Sequence, residues 1–301
     1  CNSVASNFMR TITQLPLLVL MLLCGAAGAQ ERPYFVTYDH QLEEPGNMEI
    51  APAATVGVPR RGQRAYFAPF VELEYGVTGW WTTELYLEGQ VTRGDSAIFT
   101  GWRMEHRFRP LAREHRINPI LYIEYENIDE ASRIQKEIVG HAEAEEESNA
   151  ELRAHRSREL EFKLILSSTV RDWNISENFI FERNLSASEG TEFGYALGVS
   201  RPLARVASGR ACRLCRENFS AGVEFYGGLG SSQSFGLQDT AHYAAPAVAW
   251  RVTDNSTLRL SPAIGLTRLS APVLLRFGYS YEFQGAGRTI ARMFRGSKHA
   301  D

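Results

Sequence analysis

Residues 272–283 read PVLLRFGYSYEF, in which Val273, Leu275, Phe277, Tyr279, Tyr281 and Phe283 occupy every second position. Leu274, Arg276, Gly278, Ser280 and Glu282 fall between them. A β-strand sends alternate side chains to opposite faces, so this stretch has one apolar, aromatic face and one small or charged face. The pattern recurs nearly to the C-terminus in about twelve segments, each of roughly the ten residues that a tilted membrane strand needs. The segments are 48–58, 65–75, 82–92, 97–109, 117–128, 157–169, 173–184, 191–201, 217–230, 242–252, 257–267 and 272–283. The seventh has ambiguous parity, because Glu177 shares a face with Phe179 and Phe181.

Alternation alone does not say which face points inward. A soluble sandwich or ligand-carrying barrel buries the apolar face, whereas a membrane barrel turns it to lipid and keeps the polar face in the lumen. Three features favour the membrane barrel: strand length, polar faces of mixed Glu and Arg with Gly and Ser, and the N-terminus. Met9-Arg10 precedes the apolar run 15–24, LPLLVLMLLC, and then a small-residue site ending at Ala29. That is the layout of a secretory signal peptide cleaved before Gln30. Residues 1–8 precede a plausible initiator Met9, and a lipoprotein reading through Cys24 meets a bulky Leu23 where a small residue is favoured. The net charge is −3 for the whole sequence, and Arg10 is the one charged residue before position 30.

Even strand number places both chain ends on one side of an antiparallel barrel. With the N-terminus periplasmic, the tight links GVTGWW, RDW and TDNS fall on the periplasmic side and the long 129–156 link falls outside. Short periplasmic turns with longer outer loops are typical of such barrels. The long link 202–216 and the short link 270–272 depart from that rule. The expected fold is therefore all-β, an antiparallel transmembrane β-barrel of about twelve strands with one long outer loop, read as a helix or a loop. The expected domains are upstream residues and signal peptide 1–29, a periplasmic extension 30–46, the barrel 47–283 and a basic tail 284–301.

The last strand resembles the C-terminal signal of bacterial outer-membrane barrel proteins, through Leu275, Phe277, Tyr279, Tyr281 and Phe283. The resemblance implies localisation in a Gram-negative outer membrane, contact with its lipid, and recognition by the barrel-assembly machinery. Residues 284–301, with Arg288, Arg292, Arg295 and Lys298, follow where that class ends on the aromatic residue.

The predicted polar face carries Glu72, Glu74, Glu84, Glu88, Glu124, Glu126, Glu161, Glu224 and Glu282 with Arg103, Arg107, Lys163, Arg259 and Arg276. These groups either pair with one another and fill the lumen, or line a water path and set its selectivity. Cys212 and Cys215 form a CxxC in a predicted periplasmic link, where a local disulfide is favoured over a redox or metal site that lacks further ligands. His141, Glu143, Glu145, Glu146 and Glu147 lie in the long link, as a solvated acidic stretch or a surface cation site. His106, His115 and His242 occur with several Ser, but no spacing marks a nucleophile with its base, so a barrel-embedded lipid hydrolase is the lesser alternative. The expectation is a monomeric, porin-like channel or transporter for a small polar or charged solute, not an enzyme. It has no predicted cofactor, metal or nucleic-acid partner. A non-conducting barrel that acts through its loops is the alternative.

Overall fold

A computed structural model describes residues 32–58, 60, 64–133, 138–141, 148–188, 190–204, 206 and 212–288. The expected signal peptide, Glu143 to Glu147 and most of the basic tail lie outside the described residues. The strands are β1 (Met48–Val58), β2 (Tyr66–Thr78), β3 (Trp81–Thr92), β4 (Ala97–Phe108), β5 (Asn118–Asp129) and β6 (Arg156–Val170). They continue as β7 (Trp173–Asn184), β8 (Glu192–Pro202), β9 (Phe219–Ser231), β10 (His242–Thr253), β11 (Ser256–Gly265) and β12 (Val273–Phe283). Each strand pairs antiparallel with its sequence neighbours, and β12 returns to β1, closing the ring. Closure removes every sheet edge, which is the condition for crossing hydrocarbon with strands.

The alternation resolves into an outside and an inside. Phe67, Leu87, Met104, Leu121, Phe162, Phe179, Leu197, Phe225, Leu260 and Phe277 are exposed on the outer wall, while the residues between them are mostly buried. An apolar belt of this extent is what lipid covers. Aromatic rings gather at the end of the barrel that carries the termini: Trp80 and Trp81 stack with Phe108, Phe219 with Trp250, and Tyr281 with Phe283. Such girdles mark the headgroup level of membrane barrels. In β7, Glu177 is exposed beside Phe179, whereas Ser176, Asn178 and Ile180 are buried, which settles its parity.

The turns follow from local chemistry. Strands β6 and β7 are joined by Arg171 and Asp172, both with positive φ (52° and 70°), the backbone of a tight type I′-like hairpin. At the far end, the described residues of the 130–155 link include a short helix, α1 (Asn149–Leu152), started by a capping box between Ser148 and Glu151. The described parts of this link stay in contact with the barrel mouth. Val139 bridges to Gly194 and Gly140 to Gly230, and Ser132 donates to Glu88 at 2.9 Å.

The interior has one component that the sequence pattern does not place there. Residues 32–47 belong to no strand except where β1 is about to begin, yet Tyr34, Val36, Thr37, Asp39 and His40 are buried. Val36 packs in a cluster with Ile138, Ile180, Ala196, Tyr226 and Tyr243, and Leu42 packs against Ile120, Tyr122 and Ile165. The stretch expected as an extension outside the barrel lies against the inward faces of its strands. Its short apolar and aromatic side chains gain burial there that they would lack in solvent.

Candidate functional site

The register of the strands turns scattered acidic residues into a row. Glu282 faces Glu49, and the pairing continues through Glu74, Glu84, Glu105, Glu124, Glu161, Glu182 and Glu192, one residue from each of β12 and β1 to β8. Glu282 and Glu49 lie at the end that carries the termini and Glu192 at the opposite end. The row therefore climbs the barrel as the strand tilt of any closed sheet requires.

Like charges directly opposite one another are destabilising unless compensated. The compensation comes from cations on the same inward face. Arg107 bridges Glu74 at 2.6 Å and Glu105 at 3.1 Å and also bonds Glu84. Arg103 bonds Glu88 and reaches Glu124 at 3.0 Å, and Lys163 reaches Glu161 at 2.8 Å. Three tyrosines are woven between them. The Tyr38 hydroxyl donates to Glu105 at 2.9 Å, Arg103 lies over the Tyr86 ring, and Lys163 lies 4.1 Å from the centre of the Tyr122 ring. Arg103, Glu105 and Glu124 are almost wholly inaccessible, so this part of the lumen is packed with paired charge.

The other expected lumen residues are also brought inward, with different partners. Glu126 sits with Glu124 and Glu161, their carboxylate oxygens within 4.8 Å of one another, and Glu72 faces Tyr86 on the neighbouring strand. Arg103 and Lys163 already supply positive charge at the first of these acid groups. Arg276 bonds the Tyr226 hydroxyl, and Arg259 donates to the Tyr34 carbonyl at 3.3 Å. Glu224 serves the N-terminal segment. Its carboxylate accepts from the amides of Phe35 (2.9 Å), Val36 (2.9 Å) and Thr37 (2.7 Å). Three successive N–H groups converging on one anion form a nest, an arrangement that binds negative charge.

The rest of that segment is held in the same manner. Asn178 accepts from the Tyr38 amide at 2.7 Å and donates to the Tyr38 carbonyl at 2.9 Å. The Tyr34 hydroxyl donates to Asn174 at 3.0 Å, and Arg32 pairs with Asp39 at 3.0 Å. Nothing in the sequence period flags Asn174, Asn178 or the segment itself. The one available signal was the aromatic cluster Tyr34, Phe35 and Tyr38 in an otherwise polar stretch.

Outside the lumen, Cys212 and Cys215 are bridged with Cα atoms 5.4 Å apart in the β8–β9 link. Leu275, Phe277, Tyr279, Tyr281 and Phe283 share the lipid-side face of β12. Of the histidines, His106 makes tilted ring contacts with Trp81 and Phe108 at the outer wall, and His242 is engaged by Tyr195 and Thr240. His115 contributes its main chain to Asn118. A different trio runs from the interior to the surface: His40 Nδ1 is 2.8 Å from the buried Ser167 Oγ and its Nε2 is 3.4 Å from the exposed Glu114. Ser167 Oγ also accepts from Asn174 and Ser176 and is buried, so the trio fastens the segment and presents no accessible nucleophile.

A closed ring of twelve strands, apolar outside and charged within, decides the class. The fold is that of a bacterial outer-membrane barrel. No protein-family model matches the sequence, and no curated protein matches it. Among solved structures the chain is similar to a KdgM porin in complex with disordered oligogalacturonate, at 7% identity and a TM-score of 0.48, covering 79% of this chain and 99% of that one. It is also similar to the translocator domain of the autotransporter NalP from Neisseria meningitidis, at 10% identity and a TM-score of 0.40, covering 81% and 91%. LpxR from Salmonella typhimurium is similar at 11% identity and a TM-score of 0.40, covering 78% and 99%.

Proposed function

We propose that this barrel resides in the bacterial outer membrane as a monomeric channel or transporter for small polar or charged solutes, and that residues 32–44 form its plug. The observation that carries this reading is how the segment is held. It contributes no strand to the closed ring, and side-chain hydrogen bonds, chiefly those of Glu224 and Asn178, fasten it to the wall. It can therefore leave without breaking a single interstrand ladder. Ser132, which donates to Glu88, and Val139 and Gly140, which bridge to β8 and β9, lie at the opposite mouth of the same path. The acidic row beside the segment gives a path opened by its departure a preference for cations.

Single-channel recording on the refolded full chain tests this. Glu224→Gln combined with Asn178→Ala is expected to convert a mostly closed barrel into one with long-lived, cation-selective openings. A variant that is inserted, has a protease-accessible segment and still passes no current overturns the channel reading. It would leave the non-conducting barrel, which the packed Arg103, Arg107 and Lys163 network favours.

A further inference from the structure

The wall that holds residues 34–38 reads their main chain more than their side chains. Glu224 takes three consecutive amides, Asn178 takes one amide and one carbonyl of the same residue, and Arg259 takes a carbonyl. The Asn178 pair supplies the donor and acceptor that a neighbouring strand would supply to an extended peptide. All of these contacts would be made by any polypeptide of suitable shape, because every non-proline residue carries the same two groups.

The wall is also cut to admit a chain. A Cβ built on Gly198 would come within 2.8 Å of the Tyr34 ring and 2.9 Å of Thr37 Cγ2. One on Gly222 would first meet the wall itself, Ser200 Cβ and the Val199 carbonyl at 2.7 Å, and then Pro33 at 3.2 Å. Gly198 on β8 is thus the position where the absence of a side chain makes room for the segment. Once the segment leaves, Glu224 and Asn178 face the opened lumen, where water or an incoming chain takes the place of their partners. A solute that presents successive N–H groups remakes the convergent bonds to the Glu224 carboxylate, whereas one without them leaves it to water.

Resting on the reading of residues 32–44 as a displaceable plug, we propose that this surface is a peptide-binding site and that the transported solute class is oligopeptides able to take up the same bend at Glu224. The plug is then the resident ligand, and an incoming peptide replaces it on Glu224 and Asn178.

The test uses the full chain with a protease recognition sequence inserted between Glu44 and Pro45, both exposed. After cleavage in detergent, binding is followed by fluorescence anisotropy of two labelled peptides: one with the sequence of residues 32–44, and one of equal length with an unrelated, uncharged sequence. Both are expected to bind the cut protein and not the uncut one. Glu224→Gln with Asn178→Ala is expected to weaken both by about a hundredfold, since bonds to a charged acceptor are lost. Binding of the native peptide alone overturns the proposal, because the wall then recognises only its own plug. Equal binding by the double variant, or no binding to a cut barrel that keeps its β-sheet circular dichroism, overturns it as well. Conductance is measured on the same samples. Peptide binding without current removes the channel reading and leaves the binding site standing, whereas current without peptide binding does the reverse.

Discussion

Strands β2 to β6 and strands β8 to β12 build two halves of one wall from different chemistry. The first half turns inward Glu84, Glu88, Arg103, Glu105, Arg107, Glu124, Glu161 and Lys163, long charged side chains that largely satisfy one another. The second turns inward Glu224, Tyr226, Tyr243, Arg259 and Arg276 among a run of small residues, Ala196, Gly198, Ser200, Ser220, Gly222, Ala245, Ala247, Ala263 and Gly278, which are too short to meet across the lumen. The small half leaves room that residues 33–37 occupy, while Tyr38 and Leu42 pack among the side chains of the charged half. A twelve-strand ring is wider than its side chains can fill by themselves, so the two halves solve the same problem by different means.

The comparison breaks most sharply on the charged side. Arg103→Met strands Glu88 and Glu124 in a buried site, and loss of one partner of a buried ion pair costs about 3–5 kcal/mol. Denaturant unfolding in micelles is expected to show that loss as a lower midpoint or a failure to refold. An unchanged midpoint would mean the network is dispensable.

On the small side, Gly198→Val is expected to spare the barrel and expel the segment, because its first added carbon meets the Tyr34 ring. Limited proteolysis should then cut within residues 32–44 while the heat-modifiable band of the barrel persists. Protection equal to wild type would show that the wall can yield.

A smaller effect belongs to Tyr34→Phe, which removes the hydroxyl bonded to Asn174 and costs about 1 kcal/mol. Hydrogen exchange of the 34–38 amides should rise modestly, with the charged half unaffected.

The smallest effect is one of pH. Burial, and next the charge of Glu282, push the Glu43 carboxyl up to about 7. A carboxyl that holds its proton more tightly when docked favours docking most below its ordinary value near 4.5, and that contribution is lost as pH rises through about 7. Proteolysis of the segment should therefore quicken between pH 5 and pH 8, and Glu43→Gln should flatten the profile. A profile as steep in the variant would assign the effect to another group.

Much of this was legible in the chain. The twelve strands were readable to within a few residues because period-two alternation is a local property, written in residues that neighbour one another. Turn positions were readable for the same reason, as at Arg171 and Asp172. The acidic residues were visible one at a time, but not the row through Glu49, Glu105, Glu182 and Glu192, because their pairing depends on register between strands. Glu224 was legible as an inward carboxylate, though its three amide donors were not.

From residue order alone came the class of fold, the lipid face and the identity of the charged positions, all consequences of side-chain alternation along single strands. Closure of the ring decided which carboxylates oppose one another and which cations lie between them. Closure also enclosed a space, and the size of that space decided where residues 32–47 go. No local period encodes a volume that exists only once twelve distant strands have met, and so a polar, turn-rich stretch that reads as an appendage lies inside the barrel.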